Sequence, residues 1–156
     1  MTFKKIKYWF PVIFWMGIIF WMSTGMFSSQ NTSLIIEPIL RFLMPGISPQ
    51  TTDMIHGLIR KYGHITEYFV LGLLLFRAFR GSSKESRTWR LVFSAVIVLA
   101  LYAASDEFHQ SFVLERTASL VDIGIDTLGG IISQQIGYFS LTHTRFWRQS
   151  NLEHGT

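Results

Sequence analysis

Along the chain, apolar and polar positions separate into four long apolar segments joined by more polar connections. The first, Tyr8 to Phe27, has 20 residues and no charge, and is polar near its end at Ser23 and Thr24. Its short basic lead resembles that of a signal peptide. The apolar core is long for such a segment, however, and no small-x-small cleavage site follows, so it is expected to remain as a span. The second begins at Met54, is apolar from Phe69 to Phe76, and ends at about residue 79. The third centres on Leu91 to Ala104, 14 uncharged residues, and reaches spanning length when widened to about 88–107. The fourth, Ala118 to Phe139, contains Asp122 and Asp126. A spanning helix needs about 20 residues. The pattern therefore predicts an all-α, polytopic membrane protein: a four-transmembrane-helix bundle forming a single domain over 1–156.

The connections differ in character. Gly81 to Ser86 is a plain polar turn. The connection from about Ser28 to Asp53 is too long and too apolar for that. Its Leu34-Ile35-Ile36, Ile39-Leu40 and Phe42-Leu43-Met44 predict a short external amphipathic segment, read as a hydrophobic lid over the bundle. Asn31 to Ser33 are expected to cap its start and Pro45-Gly46 to end it. Asp53 is expected to N-cap the second span. There is no internal repeat and no low-complexity tract.

Composition agrees with the pattern and charge then orients it. The chain is 49% apolar, 15% aromatic and only 15% charged, with a mean hydropathy of +0.30. An ordinary soluble domain carries about a quarter charged residues. Disorder is excluded, since it needs low hydrophobicity and high charge. With no cysteine, disulfides, thiolate metal sites and thiol nucleophiles are excluded too. The net charge of +4 would by itself suggest nucleic acid. Its distribution removes that reading. If the N-terminus is inside, the inner segments hold 10 of the 14 basic residues against Glu85 and Glu153, a net of +8. The outer side and outer helix halves hold the other four against eight acids, a net of −4. Because every connection is short, this bias predicts cytoplasmic N- and C-termini. Trp9, Trp15, Trp21, Trp89 and Trp147 read as lipid-facing or interfacial anchors.

The remaining charge is informative because of its depth. Glu67 lies 13 residues after Met54 and nine before Phe76, near the middle of the second span. Asp126 is eight residues beyond Ala118, about 12 Å along a helix. A charged group left in lipid costs at least about 2.5 kcal/mol, so these side chains must face a bundle interior or a watery cavity. At roughly 100° per residue, Arg60, Lys61, His64, Glu67 and Tyr68 share one face of the second helix. Asp122 and Asp126 are i and i+4, and Gly129 and Ser133 continue their stripe, permitting close helix approach. Ser105-Asp106-Glu107-Phe108-His109-Gln110 ends the third helix, and Arg116 follows in a short loop. All three sets fall in the same outer half and are expected to converge on one outward-facing cavity. His56 reads as an interfacial or loop residue.

The candidate catalytic residues are His64, Glu67, Asp106, Glu107, Asp122 and Asp126, a histidine–carboxylate set suited to acid–base work. Candidate substrate-binding residues are Lys61, Tyr68, His109, Gln110 and Arg116, the cations serving as anchors for an anionic headgroup. A divalent metal would find nitrogen and oxygen ligands here. The spacing matches no diagnostic metal motif, and Lys61 and Arg116 would oppose a cation, so neither metal nor cofactor is expected. No nucleophile elbow, phosphate-binding glycine loop or Ser/His/Asp order is present, and no motif names a reaction.

At these residues the chain resembles the VanZ-like family of bacterial membrane proteins. Lys61-Tyr62-Gly63-His64-Ile65-Thr66-Glu67-Tyr68 is similar to the family's K-x-x-H-x-x-E-Y signature, and Ser105 to Gln110 with Arg116 to its S-D-E-x-H-Q…R segment. Asp122-Ile123-Gly124-Ile125-Asp126-Thr127-Leu128-Gly129 resembles its D-x-x-x-D-x-x-G block, and Ile18 to Ser23 its first helix. One departure is Leu114-Glu115-Arg116, where the family commonly has Pro-Gly-Arg. The resemblance implies a bacterial cytoplasmic membrane location. It also implies a link to resistance against teicoplanin, a lipid-bearing glycopeptide that acts outside the membrane.

Together these readings lead to an outward-facing polar cavity that binds or modifies an envelope amphiphile, a lipid-linked cell-wall component or a glycopeptide-related ligand, with membrane lipid as the general partner and no nucleic acid. The alternative is a non-catalytic membrane partner or an ion or small-molecule transport element. The apolar run Phe69 to Phe76 counts against a polar path through the chain.

Overall fold

The apolar segments become helices, two of which start at capping serines rather than at the limits of apolarity. The computed structural model describes residues 2–24, 29–82, 88–113 and 118–153, with the side chains of residues 2, 4, 29–31 and 141–153 outside that description. The helices are α1 (Thr2–Met22), α2 (Ser29–Leu43), α3 (Pro49–Ser82), α4 (Thr88–Gln110) and α5 (Leu120–Glu153). The described residues contain no strand.

Several boundaries differ from expectation, each for a local reason. Ser48 precedes Pro49 and its Oγ accepts the Thr51 N–H at 3.2 Å, so Ser48 caps α3 and proline occupies the first helical position. Asp53 therefore lies inside the helix and exposed, not at its cap. In α5 the Ser119 Oγ accepts the N–H groups of Val121 and Asp122 at 3.2 and 3.4 Å. α3 and α5 each run 34 residues, well beyond the apolar segments within them. α2 begins at Ser29, so Asn31 to Ser33 lie within the helix and do not cap it. It ends as expected: beyond Leu43 the chain turns through Gly46, whose φ of +92° suits a residue without Cβ. α1 ends at Met22, and residues 25–27 of the expected first span lie outside the described residues.

α3 is the central element and packs against every other helix, most extensively against α5. α1 runs antiparallel to it: Tyr8 lies over Gly81, Trp9 Nε1 donates to Ser82 Oγ at 3.1 Å, and Trp15 Nε1 donates to the Glu67 carbonyl at 2.9 Å. Trp9 also stands edge-on to Phe79. Trp9 and Trp15 are thus half-buried interhelix contacts, not lipid-facing anchors, because their indole N–H groups find partners inside the bundle. Trp21 and Trp89 are exposed, and the Trp147 side chain lies outside the described residues.

α3 and α5 run parallel in a constant register. Arg60 meets Asp122, His64 meets Asp126 and Gly72 meets Gln134, each pair 62 residues apart. Small residues make this approach possible. A Cβ on Gly129 would come 2.8 Å from the Ile65 carbonyl oxygen, and one on Gly130 would strike Leu99 of α4.

On α3 and α4 the buried residues are polar at one end and apolar at the other, while α5 brings buried Ser133 and Gln134 into the apolar half. α3 buries His64, then Tyr68, Leu71 and Leu75, while α4 buries Leu91, Ala95, Leu99 and Ala103, then Asp106, Glu107 and Gln110. Large apolar side chains such as Phe14, Phe93, Leu101, Leu128 and Phe139 are meanwhile exposed on the bundle's outside. By length and composition, α4 is long and apolar enough to cross a membrane. α3 and α5 interrupt their apolar runs with ionisable residues.

Candidate functional site

The site forms where the polar ends of α3, α4 and α5 meet. Glu107 Oε2 accepts the backbone N–H of Ser119 at 2.8 Å, which ties the end of α4 to the start of α5. The α3–α5 register then sets the pairs. Arg60 Nη2 donates to Asp122 Oδ2 at 2.9 Å. One turn deeper, His64 Nδ1 stands 3.4 Å from the Asp126 carboxylate, longer than the usual 2.7–3.2 Å of an N–H···O bond. On the α1 side, Gln110 Nε2 donates to Asp106 Oδ2 at 3.0 Å and to Ser23 Oγ at 3.3 Å.

Burial makes these pairs consequential. Asp126 is fully buried, Asp106 and Glu107 are 2% exposed, and His64 is 8% exposed. A buried carboxylate is costly unless charge and hydrogen bonds compensate it. Compensation is incomplete here. Among the described residues, Asp106 Oδ1, Glu107 Oε1, Asp126 Oδ1 and Tyr68 Oη are buried without a hydrogen-bond partner. His64, Glu107 and Asp126 each offer one donor atom, all within 4.8 Å of one another, and among the described residues this group could hold a metal ion.

Several openings border the site, among them one of about 300 Å³ beside Glu107 and Ser119. His64 and Glu67, with Ser23, Gly63 and Arg60, line a cavity of about 150 Å³. It shares His56 and Arg60 with a wider groove of about 920 Å³ between α2 and the start of α3, edged by Arg41, Asp53, Lys61 and Asp122. His56 is thus a half-buried helix residue lining both, not a loop residue, because α3 starts seven residues before it. Arg41 is held to Glu37 at 2.6 Å.

Of the residues singled out from the sequence, His64, Glu107 and Asp126 come together, with Asp122 and Asp106 as flanking carboxylates. Glu67 lines the small cavity. Lys61 is exposed on the outer groove, and the neighbouring Arg60 takes the Asp122 carboxylate instead. Tyr68 is fully buried, one turn along α3 from His64. The His109 ring lies against Phe20 of α1, centroids 4.3 Å apart, and so turns away from the cavity. Arg116 lies outside the described residues.

Four contributors were not among those candidates: Arg60, Ser23, Ser119 and Gln134. Ser119 was legible as a cap, since serine three positions before Asp122 is an N-terminal signature. Ser23 was visible as a polar end to an apolar run. Gln134, whose Nε2 donates to the Gly72 carbonyl at 2.6 Å, carries no local signal.

Chemically, the arrangement offers one imidazole among several buried carboxylates, beside a groove edged by both cations and carboxylates. It can exchange a proton, hold a cation, or seat a polar headgroup. No curated protein and no solved structure matches the chain. The VanZ/LLP1 family profile matches residues 8–141, which include all three motif blocks, and the chain therefore belongs to the VanZ/LLP1 family.

Proposed function

We propose that the chain is a four-span membrane protein with cytoplasmic termini, and that its polar cavity faces outward to bind or modify the headgroup of an envelope amphiphile. The helices running through the bundle are α1, α3, α4 and α5, with α2 lying outside as a lid. Support for the membrane reading comes from family membership, from the length and apolarity of α4, and from exposed apolar side chains around a core with a polar end. In lipid such side chains carry no penalty, and close packing at small residues holds helices together. Support for the orientation comes from the +8 and −4 division of charge.

One observation carries the headgroup reading. His64 and Glu67 line a small cavity that shares the Arg60 wall of a larger groove edged by Lys61 and Arg41. Cations at a mouth and ionisable groups within suit an amphiphile whose anionic or sugar-bearing head enters while its acyl chains stay in lipid. In the catalytic form of this reading, His64 moves a proton with Asp126 as its carboxylate partner. A lipid-linked cell-wall component and a lipid-bearing glycopeptide of the teicoplanin type are both amphiphiles of this description. Conduction through the chain has less support, because the residues α3 buries beyond Tyr68 include Leu71, Leu75 and Ala78, all apolar.

The test is mass spectrometry of the amphiphile retained by protein purified in mild detergent. The wild-type chain should retain one phosphate- or sugar-headed class, and His64→Ala and Glu67→Gln should each lose most of it while remaining monodisperse. Retention of unselected bulk lipid by wild type and variants alike would refute the reading.

A further inference from the structure

We infer that His64, Glu107 and Asp126 form a binding site for one divalent first-row cation, of the Mn²⁺ or Zn²⁺ type, at the junction of α3, α4 and α5. Each helix contributes one ligand, and the three donor atoms already lie within 4.8 Å of one another. Donor atoms about 2.0–2.2 Å from a tetrahedral zinc stand roughly 3.3–3.6 Å apart, so closing on an ion would draw the widest pair together by about 1 Å.

Side chains outside that triad point the same way. Tyr68 is 0% exposed with its Oη unpartnered, one turn along α3 from His64 and within electrostatic range of Asp106 and Asp126. Asp106, 2% exposed, also leaves one carboxylate oxygen unpartnered. Within the triad, Glu107 spends Oε2 on the Ser119 N–H and keeps Oε1 free, and Asp126 meets His64 only at the long distance of 3.4 Å. The available cationic partner does not relieve this: Arg60 is committed to Asp122.

Among the described residues, then, Glu107 and Asp126 put two carboxylates in a buried space whose nearest basic group is one imidazole. A divalent ion compensates that charge directly. Of the two cations expected to repel a metal, Lys61 is exposed on the outer groove, and Arg116 lies outside the described residues. One imidazole with two carboxylates favours Mn²⁺ or Zn²⁺ over Ca²⁺, which prefers an all-oxygen shell. Three protein ligands leave coordination positions for other groups, and because His64 lines the small cavity a phosphate or sugar oxygen entering from that side could fill one. The ion is argued from the side chains alone, so it can be tested apart from the headgroup reading.

The experiment is metal uptake by the purified, EDTA-treated full chain in phospholipid-free detergent, titrated with Mn²⁺ and separately with Zn²⁺. The expected result is one ion per chain. Glu107→Gln and Asp126→Asn should each weaken uptake roughly tenfold or more, and Glu85→Gln, between α3 and α4 in the sequence, should leave it unchanged. Electron-spin-echo spectra of the Mn²⁺-loaded wild type should show nitrogen coupling from one imidazole, a readout that needs no variant to fold. No saturable uptake by the wild type, uptake unchanged in both carboxamide variants, or loaded protein without nitrogen coupling would each overturn the site. Selective lipid retention without metal uptake would leave the headgroup reading standing and remove this one.

Discussion

Arg60 and Lys61 are adjacent in the chain and about 100° apart on their helix, and only one of them can face α5. It is Arg60, at 2.9 Å from Asp122, with side chains 33% and 13% exposed. At that exposure much of the attraction is screened. A double-mutant cycle with Arg60→Ala and Asp122→Asn, read by thermal unfolding in detergent, should give a coupling of about 1 kcal/mol or less. A coupling several times larger would mean that the pair is sealed from water. The identity of the ionisable residues was legible in the sequence, because so few charges occur in an apolar chain and because helical spacing groups them. Their partners were not. Tyr68 shares a face with His64 by spacing but lies one turn deeper, where the core has closed, and His109 is drawn to the Phe20 ring of α1. Which neighbour a side chain meets depends on the second helix, and no local rule supplies that.

At the scale of elements, the 62-residue register between α3 and α5 rests on glycine. A Cβ at position 129 would lie 2.8 Å from the Ile65 carbonyl oxygen and 3.4 Å from its Cα, both backbone atoms that cannot swing aside. Gly129→Ala should therefore destabilise the bundle by about 1–3 kcal/mol, the usual range for overpacking. Gly124→Ala, five residues earlier on an open face with nothing within 4 Å, should stabilise by about 0.5–1 kcal/mol through helix propensity. Unfolding midpoints that move together in the two variants would contradict a glycine-set register. The small-residue stripe was readable from Gly129 and Ser133. The helix ends were less so: apolarity marks where lipid or a core is met, whereas hydrogen bonding marks where a helix stops. Ser48-Pro49 and Ser119 set the starts of α3 and α5, and both helices outrun their apolar segments.

For the whole molecule, orientation is the property that charge predicts and labelling can decide. A chain without cysteine suits single-cysteine labelling. Cysteines replacing Gln50 and Glu115 should react with an impermeant reagent from outside intact cells, and one replacing Ser83 should not. The reverse pattern would turn the cavity toward the cytoplasm. The sequence by itself determined that the chain is helical, which family it belongs to, and which ionisable residues are held in apolar surroundings. Those properties follow from periodicity, from motif spacing and from the scarcity of charge. Only the tertiary structure decided that His64, Glu107 and Asp126 share one space, that Arg60 and not Lys61 neutralises Asp122, and that Trp9 and Trp15 turn inward. Those outcomes depend on the rotation and register of helices tens of residues apart, which close packing at Gly72, Gly129 and Gly130 sets and which no single helix encodes.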